Sequence, residues 1–365
     1  MPLTSTIVTL LIFTIIVIAH EFGHFIVARK NGILVEEFAV GLGPKLIGWT
    51  RGETLYTIRL IPLGGYCKML GGEDDTASDP RSFNAKKVWQ RIAVCLAGAV
   101  MNFLLAVVLG AILISFTAMS TTTVHTVTPN SPADIAGIMP GDRILRIDGS
   151  RIHSFGHIGR ALNRAGGEQI DIVVRRDGSR QTLSLSAEYT LDEISGRSHF
   201  RMGILTDARA GFLRSPALEG VPVANPMEML QGAWGLSVYS VTMVLDGLSM
   251  LVTGQVDLGD IWGPIGVGQA IDTSLQAAVE AEVPVRNMVL VGVQIAMLLS
   301  ANLAVLNLLP IPALDGGRII FLIIEGVRRK PLPPEKEGWI HLAGFALVLG
   351  LAVIIAFNDI LRIVR

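Results

Sequence analysis

Apolar residues run through this chain in long unbroken blocks, separated by polar stretches of very different length. Four blocks can cross a bilayer, which takes roughly 20 residues of helix. They are residues 5–28, 92–119, 288–324 and 340–357. The second holds no charged residue, and the third is interrupted by Pro310 and Pro312. A fifth apolar run, 229–252, is weakened by Asp246 and several glycines. Its pattern predicts an amphipathic helix lying on the membrane or closing over it, with a further span as the alternative. The expected fold is a polytopic α-helical membrane protein with about four transmembrane helices.

Two stretches between the blocks show the two-residue period of strands. In 53–70, ETLYTIRLIPLGGYCKML, the alternation is broken by Pro62 and by Gly64 and Gly65. This predicts a β-hairpin, and its apolar content predicts that the hairpin is membrane-associated. Just before it, FAVGLGPKL places Gly41 and Gly43 where a backbone can approach closely. The second stretch begins VHTVTPNSPADIAGIMPGDRILRIDG. It reads as a strand, a short helix at 131–136, a turn and a strand at 143–147. Residues 170–176 and 181–186 then flank Asp177-Gly178, a strong hairpin signal. The unit at 120–190 resembles a PDZ domain, an α+β fold that binds extended peptide at a sheet edge. The expected organisation is 1–119 for the first two spans and the hairpin, and 120–190 for the PDZ unit. Residues 191–286 are expected as linker and amphipathic helix, and 287–365 as the last two spans.

Composition adds exclusions. Of 365 residues, 50% are hydrophobic, and the formal net charge is −1. That suits a membrane protein with one inserted domain and offers no basic excess for nucleic acid. Cys67 and Cys95 form neither a disulfide framework nor a CxxC metal pair. The first block has no charged leader and is too long for a signal-peptide core, so it is expected to be retained. Basic residues set the orientation. Arg29, Lys30, Lys45, Arg51, Arg59, Lys68, Arg81, Lys86, Lys87 and Arg91 follow the first span, and Arg328, Arg329, Lys330 and Lys336 precede the last. Positive loops stay in the cytoplasm. Both chain ends and the 120–286 insert are then extracytoplasmic.

Ionisable side chains inside a span are costly, which makes them candidates for function. Residues 20–24 read HEFGH. On a helix, His20 and His24 at i and i+4 share one face and can hold one Zn2+. Glu21 beside them can take a proton from the water that such a metal activates. HExxH alone occurs by chance in soluble helices; within a span it has no cheap alternative partners. These histidines come late in the first span, so the zinc is expected towards the cytoplasmic leaflet. Residues 302–317, NLAVLNLLPIPALDGG, place Asp315 after two helix-breaking prolines. As a third ligand its carboxylate completes a set of two histidines and one acid, leaving a fourth position open. A role for Asp315 in capping the following helix is compatible with that.

HExxH in a first span, NLLPIPALDGG in a later one and a PDZ-like unit between them resemble the site-2 protease family of intramembrane zinc metalloproteases. The bacterial regulator-of-sigma-E protease branch is the most similar, down to the closing FNDILR. The resemblance implies His20, His24 and Asp315 as zinc ligands and Glu21 as the catalytic residue. It implies that Asn307 holds the substrate backbone. Asn102, in LAGAVMN, matches a family asparagine, although Ala99 stands where the family usually has proline. With Gly41, Gly43, Gly64 and Gly65 these are the candidate substrate-contacting positions. The implied substrates are single-span membrane proteins already trimmed outside, of the anti-sigma-factor kind, and signal-peptide remnants. The competing classes are a non-hydrolytic PDZ adaptor and a metal transporter. An intact Glu21 and all three ligands speak against the first, and the absence of polar residues along a pore against the second.

Overall fold

The computed structural model describes residues 3–71, 79–166, 169–191, 198–213, 218–254, 263–280, 284–330 and 334–364. Parts of the expected 191–286 linker lie outside the described residues. The chain forms two compact units, one of residues 1–106 with 243–365 and one of residues 107–242.

In the first unit, α1 (Leu3–Lys30) is one continuous helix. Ile12, Ile16, His20 and His24 are buried, while Ile7, Leu11, Ile15 and Phe22 are exposed. Spacings of four and seven residues lay each set along one face, so a single apolar helix turns one side inward and the other towards lipid. α2 (Val88–Phe116) repeats the device, with Val100, Leu104, Val108 and Ile112 exposed at a four-residue spacing. α7 (Val285–Leu306) ends at Asn307, and α8 (Asp315–Arg328) restarts the chain after the two prolines. The expected third span is therefore shorter than 288–324. α5 (Pro226–Val252) and α9 (Pro334–Val364) are the other long apolar helices.

Among the described residues, five helices are long and apolar enough to cross a membrane, one more than the four blocks expected to span. The additional one is α5. Asp246 and its glycines interrupt its apolar surface, but 27 residues of helix retain a window hydrophobic enough to span. A further helix was not foreseen. α6 (Pro264–Glu280) packs Ile271 against Ile12 and Ile16 of α1. Its N-terminus is held by the buried Asp359 of α9, whose carboxylate accepts from the backbone N–H groups of Gly263 and Gly266 at 3.2 and 2.8 Å. An anion there satisfies free N–H groups and complements the helix dipole. The closing FNDILR is thus a helix clamp.

β1 (Val35–Arg51) and β2 (Thr54–Met69) form an antiparallel pair turned at Gly52-Glu53. The expected hairpin inside 53–70 is replaced by this larger one. Residues 37–40 have partners both in 55–58 and in 65–68. The Pro62–Gly64 stretch is a bend that brings β2 back along β1, not the hairpin turn. Thr57 Oγ1 and Arg59 donate to Glu37 at 2.6 and 2.7 Å and pin that fold.

The second unit holds a sheet in the order β10-β3-β4-β6-β7, with β5 paired to β4. Here β3 is Ala118–Val127, β4 Arg143–Ile147, β5 Ser150–Arg151, β6 Gln169–Arg176, β7 Ser179–Ser186 and β10 Ile204–Ala210. β8 (Glu188–Leu191) and β9 (Ser198–Arg201) pair with each other. The short α3 (Pro132–Ile135) is capped by Ser131, and α4 (Phe155–Ala165) lays Ile158, Ala161 and Leu162 on the core. Asp177 and Gly178 both have positive φ, as a two-residue hairpin turn with the right twist requires. Alternation in QIDIVVRR buries Ile170, Ile172 and Val174. The sheet does not stop at residue 190, because β10 adds a strand beside β3.

One buried ion pair ties this core. Arg176 donates to both carboxylate oxygens of the fully buried Asp142 and to Gly137 O. Burial raises the Asp142 pKa, but bonds from Arg176 and the Met139 N–H outweigh it and hold the carboxyl below its usual value. Arg176→Ala should leave a buried charge unpaired and destabilise this unit by about 3 kcal/mol, the low end for such pairs because Arg176 keeps 21% of its side chain in solvent. A folded pKa below the unfolded one gives stability that is full above about pH 4 and lost on further acidification. Thermal melts at pH 7 and pH 3 should show a smaller difference for the variant than for the wild type.

Candidate metal centre

His20 Nε2, His24 Nε2 and Asp315 Oδ2 converge. The two imidazole nitrogens are 3.1 Å apart, and Asp315 Oδ2 lies 3.2 Å from the first and 3.4 Å from the second. Among the described residues this is the one group of three metal-ligating side chains. All three sit in the first unit, on α1 and at the first position of α8. The N-cap of α8 is Leu314, so the Asp315 side chain is free to face the histidines.

The triangle suits zinc. Bonds of about 2.0–2.1 Å in a tetrahedron place neighbouring donor atoms about 3.3 Å apart, and the three observed separations bracket that value. Asp315 Oδ2 is buried with no hydrogen bond to satisfy it, as expected of an atom whose natural partner is a cation. His24 is already oriented, because its Nδ1 lies 2.8 Å from Val94 O on α2. A proton on Nδ1 leaves Nε2 free to bind metal.

Glu21 adjoins the triangle on the next position of α1, and the Cys67 backbone of β2 hydrogen-bonds to its carboxyl. Gly65 explains how β2 comes so close. A Cβ there would stand 2.8 Å from Ala39 O and 3.6 Å from Glu21 Cγ. Gly41, at φ +88°, likewise leaves no room against Ile61 O. Gly43 and Gly64 face Ile61 and Leu42 within the hairpin and do not adjoin His20, His24 or Asp315.

Both asparagines reach His20. Asn102 Nδ2 is 3.3 Å from Nδ1, and Asn307 Nδ2 is 3.2 Å from Nδ1 and 3.3 Å from Nε2. They differ in access. Asn307 is partly exposed, whereas Asn102 is fully buried, so its partner is the His20 ring and not a bound chain.

Sequence reading missed Gly98. A Cβ at this α2 position would lie 2.5 Å from both His20 Cε1 and His24 Nε2. Gly98 and Asn102 are four residues apart and share a helix face. That spacing was the available signal, but small residues are common between membrane helices and rarely mark a site.

A model of the family described as Peptidase family M50 matches residues 8–351. The chain belongs to peptidase family M50, the site-2 protease family. It is 38% identical over 353 residues to a provisionally named zinc metalloprotease of Clostridium perfringens, covering 96% of this chain and 97% of that one. It is 30% identical over 433 residues to the zinc metalloprotease RasP of Shouchella clausii, covering 96% and 97%. It is also 30% identical over 445 residues to the regulator of sigma-W protease RasP of Bacillus subtilis, covering all of both. The fold is that of a polytopic membrane peptidase carrying a β domain.

Proposed function

We propose that this M50 peptidase is an intramembrane zinc metalloprotease that cuts single-span membrane proteins within or near their spans after external trimming. The observation that carries the reading is the His20–His24–Asp315 triangle beside Glu21 on an apolar helix. Zinc held there would supply Lewis acidity to the attacking water and to the scissile carbonyl. Glu21 takes the water proton and passes it to the leaving amine.

A spanning helix hides its carbonyls in its own hydrogen bonds, so it must unwind to be cut. The 65–69 stretch of β2 is an edge of its sheet beside Glu21 and suits strand addition by the unwound segment. Asn307 offers its amide to the same segment. Leu42, Leu46, Ile47 and Trp49 are exposed on β1, which supports a hairpin dipping into the membrane. The zinc then lies towards the cytoplasmic leaflet of a bacterial cytoplasmic membrane, with the PDZ-like unit outside. The sigma-W name of the Bacillus subtilis relative supports anti-sigma-factor-like substrates, and signal-peptide remnants share their single-span chemistry.

Two measurements test this: zinc per purified chain and cleavage of a single-span substrate in vesicles. About one zinc and metal-dependent cleavage are expected. A zinc-loaded, folded protein that leaves every single-span substrate intact would sink the reading.

Among the described residues the β domain contributes none to the ligand set, which supports a role in substrate choice. Its entry and exit adjoin, with Gly211 N donating to Thr117 O at 2.8 Å. Residues 118–210 can therefore be replaced by a short linker. The shortened enzyme should cut both trimmed and untrimmed forms of one substrate, whereas the full chain spares the untrimmed form. Loss of cleavage of the trimmed form by a folded, zinc-loaded variant would mean that the domain delivers substrate and does not filter it.

A further inference from the structure

We infer that Asn102 is a positioning residue for His20: its side-chain oxygen accepts the Nδ1 proton of the ring and so presents Nε2 to the metal. This deepens the zinc-site reading above and rests on it.

The two histidines are unequally supported. His24 has a backbone acceptor, Val94 O, for its Nδ1 proton. Among the described residues His20 has no acceptor at Nδ1. The two groups facing it are the amide nitrogens of Asn102 and Asn307, both donors. Those contacts suit a ring with a bare Nδ1 and a proton on Nε2. A cation on Nε2 reverses the need, because the proton must then sit on Nδ1 and find an acceptor.

Asn102 supplies that acceptor. Its side-chain oxygen is buried and has no hydrogen bond among the described residues, which is costly for an amide in an apolar helix pair. Turning the amide over about its last torsion exchanges Nδ2 for Oδ1 opposite His20 Nδ1, at the 3.3 Å separation already present. One rotation satisfies both the orphaned oxygen and the ring proton. The backbone is anchored for the task, since Ser300 Oγ on α7 donates to Asn102 O at 2.8 Å. Gly98, one turn earlier, clears the space that lets this face of α2 meet the ring. Asn307 is unsuited to the same task. It lies within 3.3 Å of both ring nitrogens and is partly exposed, which keeps it available to a bound chain.

The test is equilibrium zinc affinity of the full-length detergent-solubilised chain, measured by competition with a chromophoric chelator. Asn102→Ala and Asn102→Leu should each weaken zinc binding about 10–100-fold. Leucine keeps the volume and suits an apolar helix pair, so it serves where the alanine variant melts too early. Asn102→Asp restores an acceptor and should stay within about threefold of the wild type. A leucine or alanine variant that is folded and binds zinc like the wild type would overturn the inference. So would an aspartate variant as weak as the alanine one. His20→Ala separates the two levels of argument. Wild-type zinc uptake that His20→Ala abolishes and the Asn102 variants leave unchanged defeats only this inference. A wild type that takes up no zinc defeats the zinc-site reading as well.

Discussion

Glu21→Gln is expected to lower peptide cleavage about 10²–10⁴-fold, the usual contribution of a positioned general base, while the zinc content stays at one per chain. Glutamine keeps the size and the hydrogen-bonding reach of the side chain, so the contact with the Cys67 backbone and the packing on Gly65 are not disturbed. What is lost is the ability to accept a proton. Glu21 is next to His20 in the chain but outside the ligand triangle, so metal affinity and proton transfer separate. The check is single-turnover cleavage of a single-span substrate by metal-matched wild type and variant. Turnover within tenfold of the wild type would remove Glu21 from the role of base.

Gly98→Ala is expected to abolish tight zinc binding and to cut activity about 10²-fold or more. The added methyl group would stand 2.5 Å from atoms of both His20 and His24, closer than real carbon contacts allow. Each ring must move, and a displacement near 1 Å at a reacting centre costs about 10²-fold. The substitution is otherwise mild, because alanine favours the helix more than glycine does. Overpacking costs about 1–3 kcal/mol and the helix gain returns about 1 kcal/mol, so stability should fall by no more than about 2 kcal/mol while metal is lost. Chelator competition and a thermal melt on one preparation check it. Normal zinc affinity in the alanine variant would show that α2 can withdraw from the site.

The contrast between these two residues shows what was legible in the chain. Glu21 is written in a local code: HEFGH on a helix puts the two candidate ligands and the proposed base within five residues, and helix geometry does the rest. Asp315 is nearly as legible, because two prolines followed by an acid in an apolar run demand an explanation. The Asp177-Gly178 hairpin and the Ser131 cap follow the same rule, since turns and caps are decided by neighbours. Gly98 has no such signature. Its importance lies in what is absent from it, a Cβ, and in what α1 places opposite.

Other features unread in the sequence share that character. β10 lies more than 70 residues from the β3 strand it pairs with, and register between distant strands is set by contacts that no local period encodes. β1 meets β2 twice because Gly41 and the Pro62–Gly64 bend let two long strands fold back, whereas alternation suggested one simple hairpin. α6 is held by Asp359, some 90 residues away. The HEFGH motif, the apolar helices and the turns are legible along the chain, because each depends on residues within a few positions of one another. The surroundings of each histidine come from packing: Val94 O behind His24, the Asn102 amide behind His20, and Gly98 between them. Those contacts join helices far apart in the chain, and their strength depends on distances of a few tenths of an ångström.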